Sequence, residues 1–222
     1  MQKFATPAPV STVLDIPAGR IRLVAADRVD TTVEVLPADA SKGRDVKAAE
    51  QVRIVYDDGV LHIAVPDTHR VLGNSGFVEV TVQLPAGSRV QAGAAGGEFR
   101  TVGRLDDVTF EGAQGSVKVD EAASARLTLA AGDITLGRLD GTAHLATQKG
   151  DLTVTEAVGG TLTLRTEQGD IAVTTARGTS AALDAGTTHG RVTDSLHNTQ
   201  GADAALTVHA TTAHGDITAR SL

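Results

Sequence analysis

The chain has no cysteine in its 222 residues. Disulfides, zinc–thiolate centres, iron–sulfur clusters and thiol nucleophiles all fall away together. It has no tryptophan, one tyrosine and four phenylalanines. A core must then be assembled from Val, Leu, Ile and Ala, and platforms on which bases or sugar rings could stack are scarce. No basic run exceeds two residues and the net charge is −7, the reverse of the cationic face that tracks a phosphate backbone. Nucleic acid is therefore not an expected partner. No stretch approaches the ~20 apolar residues that cross a bilayer as a helix. Residues 1–7 hold no apolar segment of the kind that forms a signal peptide's core. The chain is expected to be cytoplasmic, without direct membrane insertion, any membrane association being made through a partner.

What is present is repetition. Hydrophobic residues make up 41% of the chain, enough to build a core rather than a disordered segment. The peptide Gly132-Asp133-Ile134-Thr135-Leu136 returns as Gly150-Asp151-Leu152-Thr153-Val154, as Gly169-Asp170-Ile171-Ala172-Val173 and as Gly215-Asp216-Ile217-Thr218-Ala219. Looser copies begin at Gly97, Gly115 and Gly190, giving Gly-to-Gly steps of 18, 17, 18, 19, 21 and 25 residues. A second alternating segment lies between successive turns, as in Arg126-Leu127-Thr128-Leu129 and Thr161-Leu162-Thr163-Leu164. Apolar–polar alternation with period two predicts half-buried strands. One such two-stranded unit cannot bury its apolar face alone, but stacked copies can. Ile134, Leu152 and Ile171 are then expected in one column. Gly132, Gly150, Gly169, Gly190 and Gly215 are read as turn residues that tolerate positive φ, and Asp133, Asp151, Asp170 and Asp216 as short acceptors for local backbone N–H groups.

The first third is organised differently. Alternating segments near residues 13–16, 20–24, 31–36, 52–56, 61–65 and 78–84 are separated by turn signals, and Asp58-Gly59 predicts a hairpin. Residues 38–51 read as a loop or one short helix, and residues 67–76 as a loop. Gly19-Arg20-Ile21-Arg22-Leu23 has the form of the later repeats, and Pro17-Ala18-Gly19 recurs as Pro85-Ala86-Gly87. The fold class predicted is all-β: an N-terminal antiparallel region over 1–87 continuing into a β-solenoid-like or β-helix-like stack over 88–222. The two are read as separate regions or as a widened start of one continuous fold.

The four Gly-Asp copies, the opening around Gly19-Arg20-Ile21-Arg22-Leu23 and the block at residues 178–194 together resemble a bacterial family of unknown function, the "putative adhesin" or toastrack domain. The resemblance covers essentially the whole chain. It implies a β-strand repeat with a solenoid-like C-terminal part. In that family the domain is often fused to, or encoded beside, membrane segments of envelope-stress sensors of the phage-shock type, where it serves as an interaction or signal-receiving module. The resemblance brings no catalytic residue with it.

Several site chemistries can be weighed on the residues. The Asp column suggests calcium, but calcium needs six to eight oxygen ligands close together, and here one Asp falls in each repeat, with Arg191 in the position of one of them. Paired carboxylates ~5–10 Å apart could cleave a glycosidic bond, but a stack with ~4.8 Å spacing offers such pairs everywhere, so the spacing selects none. The histidines, His62, His69, His144, His189, His197, His209 and His214, form neither His-x-x-x-His nor His-Glu-x-x-His, although His189, His209 and His214 gather near one pair of turns. No Gly-x-Ser-x-Gly nucleophile elbow is present. Rows of Thr (Thr128, Thr135, Thr147, Thr153, Thr163) are expected on a solvated face, interrupted by Lys118, Arg165 and Ala172. No cofactor, metal or catalytic residue is assigned. The expected role is a non-catalytic scaffold or protein-interaction module in stress or regulatory signalling, with an unknown protein partner that could be a membrane or regulatory protein. Self-association through the stack ends is a further expectation. The competing class is a surface- or carbohydrate-binding, adhesin-like protein or a polysaccharide-active β-helix. Local function is expected where the period breaks: residues 67–76, residues 195–203 and the terminal coil.

Overall fold

Alternation becomes strand almost throughout. The computed structural model describes residues 1–65 and 76–222. The expected loop at 67–76, with His69, lies outside the described residues except for Gly76. The chain divides into two compact units, Met1–Gly115 and Ser116–Leu222, later than the 87/88 boundary suggested by the sequence.

The first unit contains β1 (Gln2–Ala5), β2 (Ser11–Asp15), β3 (Ala18–Ala26), β4 (Asp30–Pro37), α1 (Gly43–Gln51), β5 (Arg53–Asp57), β6 (Val60–Ala64), β7 (Val78–Pro85), β8 (Arg89–Val102) and the first part of β9 (Arg104–Ala131). The Asp58-Gly59 hairpin forms as expected. Both residues take positive φ, 45° and 78°, and β5 pairs antiparallel with β6. β4 is also antiparallel, to β1 and to β7. The rest corrects the expectation of an antiparallel region. β2 lies parallel between β6 and β8, and β3 lies parallel between β7 and β8. Parallel pairing needs a crossover rather than a hairpin, and the long segments between β3 and β7 and between β2 and β6 provide it. The β2–β3 pair is thus an interior coil, which is why its apolar residues Leu14, Ile16, Ile21 and Leu23 are buried. Phe99 and Phe110 meet at 4.6 Å between ring centroids, and these are the large side chains of an otherwise aliphatic core. The helix over part of residues 38–51 does form as α1. Its buried Asp45 accepts a 3.0 Å hydrogen bond from the backbone N–H of Phe77.

The second unit begins within β9 and holds β10 (Ile134–Leu139), β11 (Ala143–Lys149), β12 (Leu152–Ala157), β13 (Gly160–Gln168), β14 (Ile171–Thr175), β15 (Ala181–His189), β16 (Val192–Ser195), β17 (Leu206–His214) and β18 (Ile217–Ser221). Every pairing here is parallel. One row runs β9–β10–β12–β14–β18–β16, the other β9–β11–β13–β17–β15. Ile134, Leu152 and Ile171 share one register column, extended by Val117 and Ile217, and all five are buried.

The last two coils are not stacked in chain order. β17 and β18, the C-terminal pair, slot between β13–β14 and β15–β16. Composition explains the exchange. Leu206, Val208, Ala210, Ile217 and Ala219 are fully buried and suit an interior coil. β16 reads Val-Thr-Asp-Ser and is exposed along its whole length, as an end coil must be. Residues 195–203, where the period breaks, belong to the strap that steps back one level. Buried Ser180 holds that strap, its Oγ accepting from the N–H of Thr199 (3.0 Å) and of Gln200 (3.1 Å), while Ser221 Oγ accepts from the N–H of His197 at 3.0 Å.

Candidate functional site

The turn glycines of the second unit stack in the order Gly132, Gly150, Gly169, Gly215, Gly190. A Cβ at Gly150 would run into the Gly132 carbonyl oxygen, and one at Gly169 into the Gly150 carbonyl. Both residues also have φ in the range that disfavours a side chain, 143° and 151°. Close approach and backbone conformation therefore both demand glycine. Gly190 stacks the same way against the Gly215 carbonyl.

The aspartates form a ladder across coils rather than caps within them. Asp133 Oδ1 accepts from the N–H of Asp151 at 2.9 Å. Asp151 Oδ1 accepts from Asp170 at 2.8 Å, Asp170 from Asp216 at 2.7 Å, and Asp216 from Arg191 at 2.8 Å. Arg191 does not interrupt this column, as sequence order suggests; it terminates it. The end coil needs a donor and has no further coil to accept from.

A third element of the spine is a threonine that sequence reasoning passed over. Thr147 was expected on a solvated face but is buried, its Oγ1 3.3 Å from the Gly132 carbonyl. Thr166, Thr212 and Thr187 donate in the same way to Gly150 (3.1 Å), Gly169 (3.0 Å) and Gly215 (3.0 Å). Each lies three residues before a turn glycine, so Thr-x-x-Gly was the available signal. The turn carbonyls of Gly132, Gly150, Gly169 and Gly215 thus each face a threonine hydroxyl. The same local chemistry repeats, and no one carboxylate is set apart from the others.

Of the histidines, His189 and His214 sit side by side on β15 and β17, with rings stacked at 4.7 Å. His209 Nδ1 lies 3.2 Å from Asp184 Oδ2 at the surface. Among the described residues no group of three or more His, Cys, Asp or Glu is placed to hold a metal ion. His144, half-buried on β11, differs: burial and the nearby Arg126 and Arg165 guanidinium groups hold its imidazole below the ordinary histidine pKa. It lines a groove of about 510 Å³ on the outer face of the β9–β11–β13–β17 row.

The family model for the toastrack domain, DUF4097, matches residues 10–220. The chain belongs to the toastrack family. Solved structures of similar form include a "putative adhesin" of Bacteroides fragilis, 13% identical, with a TM-score of 0.61 and coverage of 98% of this chain and 95% of that one. Another is a "putative adhesin" of Parabacteroides distasonis, 15% identical, TM-score 0.47, covering 100% and 95%. A third is a "putative cell adhesion protein" of Clostridium sporogenes, 12% identical, TM-score 0.43, covering 100% and 98%. At 13% identity the likeness to the Bacteroides fragilis structure is one of fold. No curated protein matches the chain. No helix among the described residues is long and apolar enough to cross a membrane. Within this toastrack chain the repeat residues Gly132, Asp133, Gly150, Asp151, Gly169, Asp170, Gly190, Gly215 and Asp216 all lie on the spine, and the glycine–aspartate–threonine contacts make that spine a device for stacking coils.

Proposed function

We propose that this toastrack chain is a non-catalytic scaffold that recruits a protein partner through its open end coil, in stress or regulatory signalling. The observation that carries this reading is the edge formed by β15 and β16. Each of these strands pairs on one side, with β17 and β18, and among the described residues no strand covers the other side. β16 is exposed throughout, with Val192 41% exposed. Unpaired edge N–H and C=O groups are what an added strand uses. The engagement of each spine aspartate by a backbone N–H also argues against a role for these carboxylates in acid–base chemistry.

The test is an affinity capture from the native host with the wild-type chain and with a Val192→Lys/Thr193→Lys edge variant, since charge on an edge opposes strand addition. The expected result is a defined protein retained by the wild type and lost with the variant, the fold being unchanged by circular dichroism. Recovery of the same proteins with both chains would overturn the edge as the contact surface.

A further inference from the structure

Among the described residues β1, β5, β15 and β16 each pair along one side only. An open edge invites another strand, and β5 is the edge whose side chains suit a copy of itself. Its sequence, Arg53-Ile54-Val55-Tyr56-Asp57, carries opposite charges equally far from Val55. β1 and β16 each hold a single charge, Lys3 and Asp194, so a second copy of either strand brings no opposite charge. On β15, Asp184 is already engaged with His209.

Backbone polarity fixes which groups β5 offers. The Gly59 carbonyl accepts from the Ser11 N–H at 3.1 Å, and the Val65 N–H donates to the Asp15 carbonyl at 3.2 Å. Odd-numbered residues along β6 therefore bond to β2, and Val60, His62 and Ala64 bond to their partners Asp57, Val55 and Arg53 on β5. The N–H and C=O groups of Ile54 and Tyr56 point the other way, off the edge. Side chains alternate as well. Arg53, Val55 and Asp57 are exposed, Val55 at 54%, while Ile54 and Tyr56 are half-buried. The Tyr56 ring lies 5.4 Å from that of Phe4.

We propose that β5 is a self-association edge: two copies of this chain pair their β5 strands antiparallel about a twofold axis at Val55. That register sets Ile54 of one copy against Tyr56 of the other, so the outward N–H and C=O groups meet and exchange hydrogen bonds on both sides of the axis. It also sets Arg53 against Asp57 of the other copy on both sides, flanking a Val55–Val55 contact on the exposed face. Opposite charges directly across a strand pair attract, and like charges repel. A shift of one residue faces the outward groups with groups already used by β6. A shift of two sets Arg53 or Asp57 against Val55 and leaves the charges unmatched. One short strand per copy is less than a permanent interface needs, so association is reversible and rises with concentration. The contact lies within the first unit and stands whether or not the β15–β16 edge recruits a partner.

Sedimentation velocity of the full chain over a range of concentrations tests this. The wild type is expected to pass from monomer to dimer as concentration rises. Arg53→Asp places like charges on both sides of the axis, as does Asp57→Arg, and each should weaken the dimer at least about tenfold. Mixing the two variants restores every opposite pair and should give a heterodimer, and the double variant Arg53→Asp/Asp57→Arg should dimerise alone. This rescue separates lost pairing from misfolding, which circular dichroism of each variant also checks. Val55→Cys reads the register. The chain has no cysteine of its own, and opposed residues of a non-hydrogen-bonded pair stand close enough for a disulfide, so mild oxidation should link two copies; absence of a link overturns the register. A wild type that stays monomeric at every concentration overturns the proposal. So does a dimer that both charge reversals leave intact, or one lost only with Val192→Lys/Thr193→Lys, which assigns association to β16.

Discussion

The carboxylate of Asp151 accepts a 2.8 Å hydrogen bond from the backbone N–H of Asp170, and the backbone N–H of Asp151 donates at 2.9 Å to the carboxylate of Asp133. One residue thus links three successive coils. Asp151→Ala removes the acceptor and leaves the Asp170 N–H to solvent, which should cost about 1 kcal/mol in urea unfolding. Asp151→Asn keeps an acceptor oxygen and should cost less than half as much. Because donors face each carboxylate, added calcium or a chelator should leave the thermal midpoint unmoved. A calcium-dependent rise would reveal metal binding that the ladder does not provide for.

Gly169 and Gly178 separate two reasons for glycine. Both have positive φ, 151° and 80°, but a Cβ at Gly169 would meet the Gly150 carbonyl and the Asp151 carboxylate, whereas nothing stands near one at Gly178. Gly178→Ala should cost about 1 kcal/mol, the backbone penalty alone. Gly169→Ala must also push two coils apart and should exceed about 3 kcal/mol. Equal midpoints for the two variants in denaturant unfolding would contradict the stacked-turn account.

Ser180 makes the returning strap testable. Its Oγ accepts from two N–H groups, those of Thr199 and Gln200. Ser180→Ala leaves the Thr199 N–H without its acceptor and the Gln200 N–H with only its 3.2 Å bond to Asn198 Oδ1, an expected loss of about 1–3 kcal/mol. Amide hydrogen exchange should rise first in residues 196–205 and in β15, since that strap lets β17 enter between β13 and β15. Uniform acceleration across the unit would mean that the strap is not a local lock.

Part of this architecture was legible in the sequence. Period-two alternation placed Ile134, Leu152 and Ile171 in register, and Asp58-Gly59 fixed its hairpin, because both signals are local. The order of the last coils was not local. Chain adjacency favours β13 followed by β15 and then β17, yet burial favours Leu206 and Val208 inside and Val192-Thr193-Asp194-Ser195 outside. The echo of Pro17-Ala18-Gly19 in Pro85-Ala86-Gly87 does not extend to the surroundings of the two turns. Gly19 stacks against Gly97, whereas the Gly87 N–H donates to the Arg104 carbonyl at 2.9 Å, so the two turns occupy different positions. The groove beside His144 was invisible because Arg126, His144 and Arg165 are separated by steps of 18 and 21 residues, and only the register unites them.

Thr12 is a flaw that repair should improve. It lies 1% exposed between Leu61 and Val90 in register, and its Oγ1 has no hydrogen-bond partner among the described residues. A buried unsatisfied hydroxyl costs about 1–3 kcal/mol. Thr12→Val has nearly the same shape and removes the polar atom. It should raise stability by about 1 kcal/mol, and thermal unfolding that falls instead would point to a partner for the hydroxyl.

His144 sets a pH dependence with a defined sign. Its folded pKa lies below that of the unfolded chain, through burial first and then the fields of Arg126 on β9 and Arg165 on β13; Glu167 also lines the groove. Near neutral pH both states hold the imidazole neutral and the residue contributes no pH dependence. As pH falls through the ordinary histidine range, around 6.5, the unfolded state takes up a proton that the folded state refuses, and stability declines. The decline stops once pH drops below the folded value. His144→Gln should flatten the stability profile between about pH 7 and pH 5, and Arg165→Gln should shift the decline to higher stability by relieving one of the two charges. Stability that rises on acidification across that window in the wild type, and no longer does so in His144→Gln, would reverse the sign and refute the depressed pKa.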